Sequence, residues 1–146
     1  IESYGLSELL LITANLGPAG PRERSVGVAL PEVACEARDP EDKPVPVGSE
    51  GNLFVRTPFR MLGYWSYDRR ELLPAEEGWA ATGDIGYVDE EGYVFITGRA
   101  KDLVIRGGYN ISPRCVEELL LEHASVDEAA VFGVPHDFCS TPGSFC

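Results

Sequence analysis

The sequence lacks the features that mark membrane-spanning and exported proteins. Its apolar runs fall well short of the ~20 residues that a membrane helix needs, so no transmembrane segment is predicted. Nothing at its start is typical of a signal peptide. The chain opens on Ile1 rather than Met, and we expect the natural N-terminus to lie upstream. It also has no internal repeat and no heptad pattern.

Basic residues are scarce as well. Twelve Lys and Arg stand against 24 Asp and Glu, which gives a net charge of −12. Because phosphate backbones select basic faces, no nucleic-acid partner is expected. A nucleotide ligand stays open, since a local pocket can be positive on a negative protein. The 146 residues, 44% of them apolar, suit one ordinary globular domain or two small partial ones.

Cysteine spacing gives no metal or redox motif. No CxxC pair occurs among the four cysteines, which are Cys35, Cys115, Cys139 and Cys146. We interpret them as free thiols in a reducing cytoplasm. A Cys139–Cys146 disulfide is the alternative for an exported chain. His123 and His136 have no neighbouring pattern that favours catalysis or metal binding.

Local patterns predict that the front two-thirds of the chain is mostly β-strand and that the tail begins a β-α-β arrangement. A helix is predicted from Ser112-Pro113, because Ser is a good N-cap and Pro suits the first helical position. A second, short helix is expected at 68–73. A domain boundary is expected near Arg99–Asp102. The predicted strands are 33–37, 53–56, 84–88, 93–98, 103–105 and 129–134.

The β-prone runs on either side of Asp89–Gly92 predict a β-hairpin with a four-residue loop. If Val88 lies opposite Tyr93, then Asp84 lies opposite Thr97. Because side chains alternate along a strand, the side chain two residues after Thr97 lies on the same face.

That side chain belongs to Arg99, which would be a diagonal neighbour of Asp84, roughly 7–8 Å away between backbones. Such residues can form a surface ion pair worth about 0–1 kcal/mol. They can also hold one ligand, with the carboxylate accepting from hydroxyls and the guanidinium donating to oxygens. On geometry alone the ion pair is favoured.

Four stretches, in this order and spacing, resemble the motifs of the adenylate-forming superfamily. The resemblance spans about residues 1–137. The last stretch, Gly-Arg-x-Lys-Asp followed by Gly-Gly-x-Asn-Ile-x-Pro, is similar to the acyl-CoA and aryl-CoA ligase branch. The stretches are Tyr4-Gly5-Leu6-Ser7-Glu8, Gly51-Asn52-Leu53 running on to Gly63-Tyr64-Trp65, Gly78-Trp79-Ala80-Ala81-Thr82-Gly83-Asp84, and Gly98-Arg99-Ala100-Lys101-Asp102 through Gly107-Gly108-Tyr109-Asn110-Ile111-Ser112-Pro113.

The resemblance implies a two-step reaction on a small-molecule carboxylic acid. The acid attacks ATP to give an acyl-adenylate and pyrophosphate, with Mg²⁺ neutralising charge, and coenzyme A then displaces AMP to give a thioester. A small C-terminal domain is expected to rotate between the steps.

The resemblance also implies an α+β fold, in which a β-rich, distorted-barrel subdomain precedes the start of a small α/β C-terminal domain. The expected parts are residues 1–25 as the end of a large N-terminal domain core, 26–100 as the β-rich subdomain, and 101–146 as hinge and partial C-terminal domain.

The first motif implies contacts to ATP and metal. Tyr4, followed by Gly5, should stack near the adenine, unless it is an ordinary core aromatic. Ser7 should contact phosphate, where Thr is commoner in the family. Glu8 should bind Mg²⁺, a hard cation that prefers carboxylate oxygen; the alternative is a solvated charge at a helix start.

The later motifs imply contacts to the nucleotide, a hinge and coenzyme A. Asp84 should accept from the ribose hydroxyls, and Arg99 should contact ribose or phosphate, so the motifs favour ligand binding over a plain ion pair. Lys101 occupies the hinge position, unless it is an ordinary exposed lysine. Gly107 and Gly108 should let the backbone approach the pantetheine arm of coenzyme A, or else form a plain tight turn.

Two elements of the family are absent from these 146 residues. The Gly/Ser/Thr-rich phosphate-binding loop that should precede Tyr4 is missing, and so is a catalytic lysine near the end, since Lys101 is the last lysine. Losing one charge-stabilising contact of this kind costs about 10²–10³-fold in rate. We therefore expect negligible ligase turnover from this chain alone.

Two alternatives to a coenzyme A ligase are open. One is a peptide-synthetase adenylation domain or a luciferase-like oxidase of the same superfamily. The other is a truncated, non-catalytic β-rich module. The acyl group cannot be inferred from the sequence, and fatty, aromatic and small branched acids all remain candidates.

Overall fold

The computed structural model describes residues 2–16, 20–106 and 109–134, which fall into two compact units. The first unit contains Gly86–Ile96 and the described residues up to Thr82. The second contains Gly83–Ile85 and the described residues from Thr97 onward. In the described part of the chain, no helix is long and apolar enough to cross a membrane.

Strands dominate the secondary structure, as the sequence predicted. The helical elements are a 3₁₀-helix at Ala100–Asp102 and α1 at Pro113–Leu121. The strands are β1 (Ser3–Leu6), β2 (Leu10–Ala14), β3 (Gly27–Ala29), β4 (Ala34–Arg38), β5 (Gly51–Arg56), β6 (Gly63–Ser66), β7 (Glu71–Pro74), β8 (Ala80–Val88), β9 (Tyr93–Arg99), β10 (Val104–Arg106) and β11 (Tyr109–Ile111).

The first unit is built on a sheet whose strand order is β1-β2-β3-β9-β8-β5-β4. The pairs β1–β2, β2–β3, β3–β9 and β4–β5 are antiparallel. Strands β6 and β7 form a separate two-stranded ribbon. The middle of β8, Gly83–Ile85, and the end of β9, from Thr97 onward, belong to the second unit. A β-rich fold is thus confirmed.

Two apolar clusters form the core of the first unit. One joins Tyr4, Leu9, Ile12 and Val55, and the other contains Leu53 with Ala37 and Val94. Leu53 and Val55 are fully buried while the residue between them is not, which is the period of two expected for a strand with one inward face. Burying an apolar side chain of this size contributes about 1.5–3 kcal/mol. The first cluster fixes both ends of the turn between β1 and β2.

The hairpin between β8 and β9 differs from the prediction by one residue. The amide of Asp89 donates to the carbonyl of Tyr93 (3.0 Å), and the amide of Gly92 donates to the carbonyl of Asp89 (3.0 Å). Asp89, not Val88, therefore lies opposite Tyr93, and the loop has three residues. Gly92, at φ 84°, takes the left-handed conformation that a G1 bulge requires.

Strands β10 and β11 pair antiparallel in the second unit, and α1 follows directly. The predicted helix start is confirmed, with Ser112 at the N-cap position and Pro113 in the first turn. The Ser112 hydroxyl does not cap the helix. It donates instead to the carbonyl of Thr97 (2.9 Å), which ties the start of α1 to the end of β9.

Three further expectations of local structure are wrong. The helix expected at 68–73 is a turn followed by β7, because Arg70 adopts φ 54° and the next residues pair with β6. Residues 129–134 form no strand; the amide of Val131 donates to the carboxylate of Glu117 (2.8 Å) rather than to a neighbouring strand. Glu8 does not begin a helix, since it lies in the turn between β1 and β2.

Candidate functional site

Asp84 and Arg99 meet in the second unit, as predicted. Asp84 lies on β8 with a side chain that is 4% exposed, and Arg99 ends β9 with a side chain that is 54% exposed. Arg99 Nε donates to Asp84 Oδ1 at 3.0 Å. The contact forms although the hairpin loop differs from the predicted one, because the long Arg side chain reaches across the strand ends.

The guanidinium of Arg99 retains most of its donor capacity. Of its five N–H groups, the one on Nε is used by Asp84. Its Nη1 and Nη2 groups make no hydrogen bond within the described part of the chain. A buried carboxylate therefore orients a guanidinium whose other donors are available to an oxygen-rich ligand.

The segment after Arg99 contains the predicted hinge residue. Lys101 lies in the 3₁₀-helix Ala100–Asp102 and is exposed. Gly98, just before Arg99, packs closely against the start of α1, since a Cβ there would lie 2.9 Å from the Ser112 hydroxyl. Gly107 and Gly108, together with His136, Cys139 and Cys146, lie outside the described residues.

The first motif lies in the first unit, on β1 and the turn that follows. Tyr4 is 9% exposed and belongs to the core cluster with Leu9, Ile12 and Val55. Gly5 lies against β2 at a register shift, where a Cβ would come within 2.4 Å of a backbone carbonyl oxygen. Ser7 is exposed in the turn.

Glu8 is held by two hydrogen bonds from the segment that precedes and begins β6. The hydroxyl of Tyr64 donates to Glu8 Oε1 (2.8 Å), and the amide of Met61 donates to the Glu8 carbonyl (2.7 Å). The hydrogen bond from Tyr64, followed by one from the backbone amide of Glu8 itself, lowers the pKa of this carboxyl. The same contact to Glu8 raises the pKa of Tyr64.

An ionised carboxylate such as Glu8 is a suitable ligand for Mg²⁺, a hard cation. In the described ranges, no group of three or more His, Cys, Asp or Glu side chains could hold a metal ion.

A cavity of about 490 Å³ lies beside Glu8 in the first unit. Much of its lining is apolar, from Leu6, Leu9, Met61, Pro74, Ala75, Ala80 and Ala81. The polar lining residues are Glu8, Arg60, Tyr64, Glu76 and Thr82.

Arg60 and Tyr64 were missed as site residues by the sequence analysis. Tyr64 was part of a matched motif but received no role. Arg60 is flanked by Phe59, Met61 and Leu62, and a lone arginine in an apolar run was the available signal.

The chain is similar to known proteins in both sequence and structure. Residues 1–65 match the family model described as "AMP-binding enzyme". The chain is 38% identical over 138 residues to a long-chain-fatty-acid–CoA ligase of Yersinia pestis, covering 94% of this chain and 25% of the relative. It is 39% identical over 140 residues to a ligase of the same name from Bacillus subtilis, again covering 94% of this chain and 25% of the relative.

A solved structure shows the same fold. ATP-bound MatB from Rhodopseudomonas palustris superposes with a TM-score of 0.79 at 40% identity, covering 94% of this chain and 28% of that one. The chain thus spans about a quarter of the length of the curated relatives it matches.

Proposed function

Because the chain belongs to the adenylate-forming superfamily of AMP-binding enzymes, we propose that it contains part of the nucleotide-binding site of an acyl-CoA synthetase. The reaction joins a carboxylic acid, ATP and coenzyme A into an acyl-CoA, with AMP and pyrophosphate as products and an acyl-adenylate between the two steps. The names of the two ligase relatives favour a fatty acid as the acid.

The contact between Asp84 and Arg99 carries the proposal. Asp84 accepts hydrogen bonds from the ribose hydroxyls of AMP, and Arg99 donates from Nη1 and Nη2 to ribose or phosphate oxygens. An ordinary surface ion pair has two solvated partners and contributes about 0–1 kcal/mol. Here the carboxylate is 4% exposed, so the pair presents a pre-oriented guanidinium rather than two mobile side chains.

The turn after β1 supplies the contacts for ATP and metal. Ser7, exposed in that turn, hydrogen-bonds a phosphate oxygen. Glu8 binds Mg²⁺, which neutralises charge on the phosphates during adenylation. For Tyr4, burial in the core cluster supports the packing role over stacking on the adenine.

The second half of the reaction involves the segment after Arg99. Lys101 acts as the hinge about which the following residues rotate, with Gly107 and Gly108 admitting the pantetheine arm of coenzyme A. In this scheme residues 1–25 end the large N-terminal domain, 26–100 form the distorted-barrel subdomain, and 101–146 form the hinge and partial C-terminal domain. The compartment proposed from the cysteine pattern is the cytoplasm.

Nucleotide binding by the 146-residue chain tests the proposal. Saturation-transfer NMR should detect AMP, and a non-hydrolysable acyl-sulfamoyl adenosine should displace it. R99Q should weaken AMP binding about tenfold, the factor expected from one lost charged hydrogen bond. The matched control is R114Q, which breaks a surface ion pair on α1 whose arginine is as exposed as Arg99. Equal losses in R99Q and R114Q, or no AMP binding at all, would overturn the proposal.

A further inference from the structure

The start of α1 is joined to the end of β9 by a side-chain hydrogen bond. The Ser112 hydroxyl donates to the carbonyl of Thr97 (2.9 Å), and Cys115 Sγ lies 4.0 Å from the same oxygen. Thr97 precedes Lys101 in the chain, and Ser112 follows it. A rotation of the residues after Lys101 would therefore have to break the bond between Ser112 and Thr97.

Gly98 makes this close contact possible. It is buried beside Ser112, and a Cβ in its place would lie 2.9 Å from the Ser112 hydroxyl oxygen but 3.6 Å from the Ser112 Cβ. The first distance is too short for atoms that are not bonded to each other, and the second is ordinary van der Waals contact. The missing side chain at Gly98 therefore makes room for the hydroxyl of Ser112 in particular.

The Ser112 hydroxyl also has an alternative partner. Ser112 is the N-cap residue of α1 and has the extended backbone of such residues (φ −77°, ψ 117°), yet its side chain makes no capping hydrogen bond. An N-cap serine ordinarily accepts from the amide of the second or third helical residue, here Arg114 or Cys115. The bond to Thr97 takes the place of that cap, so its loss would be offset by a gain at the helix start.

We propose that Ser112 is a latch across Lys101, whose hydroxyl holds the following residues against β9 through Thr97 and caps α1 once those residues rotate. A neutral hydrogen bond changes such an equilibrium by about 2- to 10-fold, which is small enough for the rotation to remain reversible. The inference rests on the proposed function in one respect, since it takes Lys101 as the hinge. It adds the contact that stabilises one of the two orientations.

Substitution by aspartate separates the latch from the cap. An ionised Asp at position 112 can accept from a helix amide but cannot donate to a carbonyl, so S112D keeps the cap and loses the latch. S112D should therefore lower the ratio of latched to rotated orientation by at least about threefold. S112A loses both bonds and should change the ratio less, whereas S112T keeps the hydroxyl and should restore the ratio of the unaltered chain.

Three NMR measurements on the 146-residue chain report the outcome. The ¹³C shift of the Thr97 carbonyl reports the latch, and hydrogen exchange at the Arg114 and Cys115 amides reports the cap. Relaxation dispersion of the α1 amides reports the rotated population. In S112D the Thr97 carbonyl should move toward its unbonded shift, the two amides should exchange more slowly, and the rotated population should rise. S125D adds the same charge at an exposed serine beyond α1 and should leave all three unchanged.

A double-mutant cycle approaches the latch from β9. In G98A the added Cβ should turn the Ser112 hydroxyl away from Thr97, so G98A should move the readouts in the same direction as S112D. In the S112A background, G98A should have little further effect, because the hydroxyl that it displaces is already gone. Additive effects of G98A and S112A would show that Gly98 does not act through Ser112.

Two results would overturn the latch. One is an unmoved Thr97 carbonyl or an unchanged rotated population in S112D. The other is an equal change in S112A and S112D, which would leave Ser112 as a packing residue with no exchange between two partners. These readouts need no nucleotide, so AMP titration of the same samples tests the proposed function separately. Failure of AMP binding with the latch readouts as expected would count against the nucleotide site alone.

Discussion

Replacing the carboxylate of Asp84 by an amide, in D84N, tests the ribose contact at a single atom. The carboxylate is almost fully buried and receives Arg99 Nε at 3.0 Å on Oδ1. In the proposed complex it also accepts from ribose hydroxyls. A hydrogen bond to a charged group contributes about 1.5–3 kcal/mol, and each 1.4 kcal/mol is tenfold in affinity. Loss of one such bond should therefore weaken AMP by about 10- to 100-fold.

A thermodynamic cycle with a modified nucleotide makes the prediction specific to the sugar. The unaltered chain should bind 2′,3′-dideoxy-AMP more weakly than AMP by the same factor that D84N costs. D84N itself should bind the two nucleotides with nearly equal affinity, because the carboxylate that accepts hydrogen bonds from the ribose hydroxyls is gone.

The measurement is equilibrium dialysis or saturation-transfer NMR on both proteins with both nucleotides. Melting curves serve as the control for folding, and R114Q serves as the control for loss of an ion pair in the same unit. If D84N still discriminates AMP from the dideoxy nucleotide as strongly as the unaltered chain does, Asp84 does not contact the ribose and the reasoning fails.

Three further predictions concern stability and reactivity. In Y64F, Glu8 loses the hydrogen-bond donor that lowers its pKa. A lowered pKa stabilises the fold above the ordinary value of 4.5, and this gain is lost as the pH falls through the folded pKa. In urea titrations, the difference in unfolding free energy between the two proteins should therefore be largest near neutral pH and shrink below about pH 4. A pH-independent difference would contradict this. G27A should destabilise the fold by about 2–4 kcal/mol, because Gly27 has φ 96° and a Cβ there would lie 2.0 Å from the backbone of Ala14. G48A, at φ 78° with no atom within 4 Å of the added Cβ, should cost only about 1–2 kcal/mol. Equal losses of stability in the two variants would show that the contact with Ala14 is irrelevant. Iodoacetamide at pH 8 should modify exposed Cys115 well before Cys35, because burial, aided by the charge of Glu36, raises the pKa of the Cys35 thiol to about 12. Peptide mapping measures the two rates, and equal rates would contradict the burial of Cys35.

Sequence patterns predicted those elements that have a clear local signal. Strands β4, β5, β8, β9 and β10 were found within a few residues, because each has a β-prone run bounded by Gly, Pro or charged residues. The start of α1 was found from Ser112-Pro113 alone.

The errors share a cause, which is that tertiary contacts decided the outcome. Residues 71–74 became a strand because β6 pairs with them, and residues 129–134 did not, because a side chain took the amide of Val131. The short strands β1, β2 and β3 were not predicted either; β1 and β2 pair with each other across a short turn, whereas β3 also pairs with β9, which is distant in sequence.

The candidate site, like the fold, was predictable only where a local sequence pattern indicates the contact. Asp84 and Arg99 were paired from alternation along two strands, and the resulting contact does not depend on the loop length that was wrong, since an Arg side chain spans a one-residue offset. Tyr64 and Arg60 could not be placed, because nothing local shows that the segment before β6 packs against the turn after β1. The amide of Met61 and the hydroxyl of Tyr64 make that connection only in three dimensions.

The order of residues along the chain constrains how the proposed hinge can work. Asp84 and Arg99 both precede Lys101, so a rotation of the residues after Lys101 leaves the distance between the two side chains unchanged. Under the proposed function, the nucleotide contact would therefore persist through both steps, while Gly107 and Gly108, which follow Lys101 in the sequence, would change position. An enzyme built this way keeps AMP in place as the leaving group while the acceptor thiol arrives. In the longer protein, D84N should therefore weaken adenylation and thioester formation by similar factors. A substitution at Gly107 should affect thioester formation alone. Single-turnover kinetics of the two half-reactions would distinguish these two outcomes.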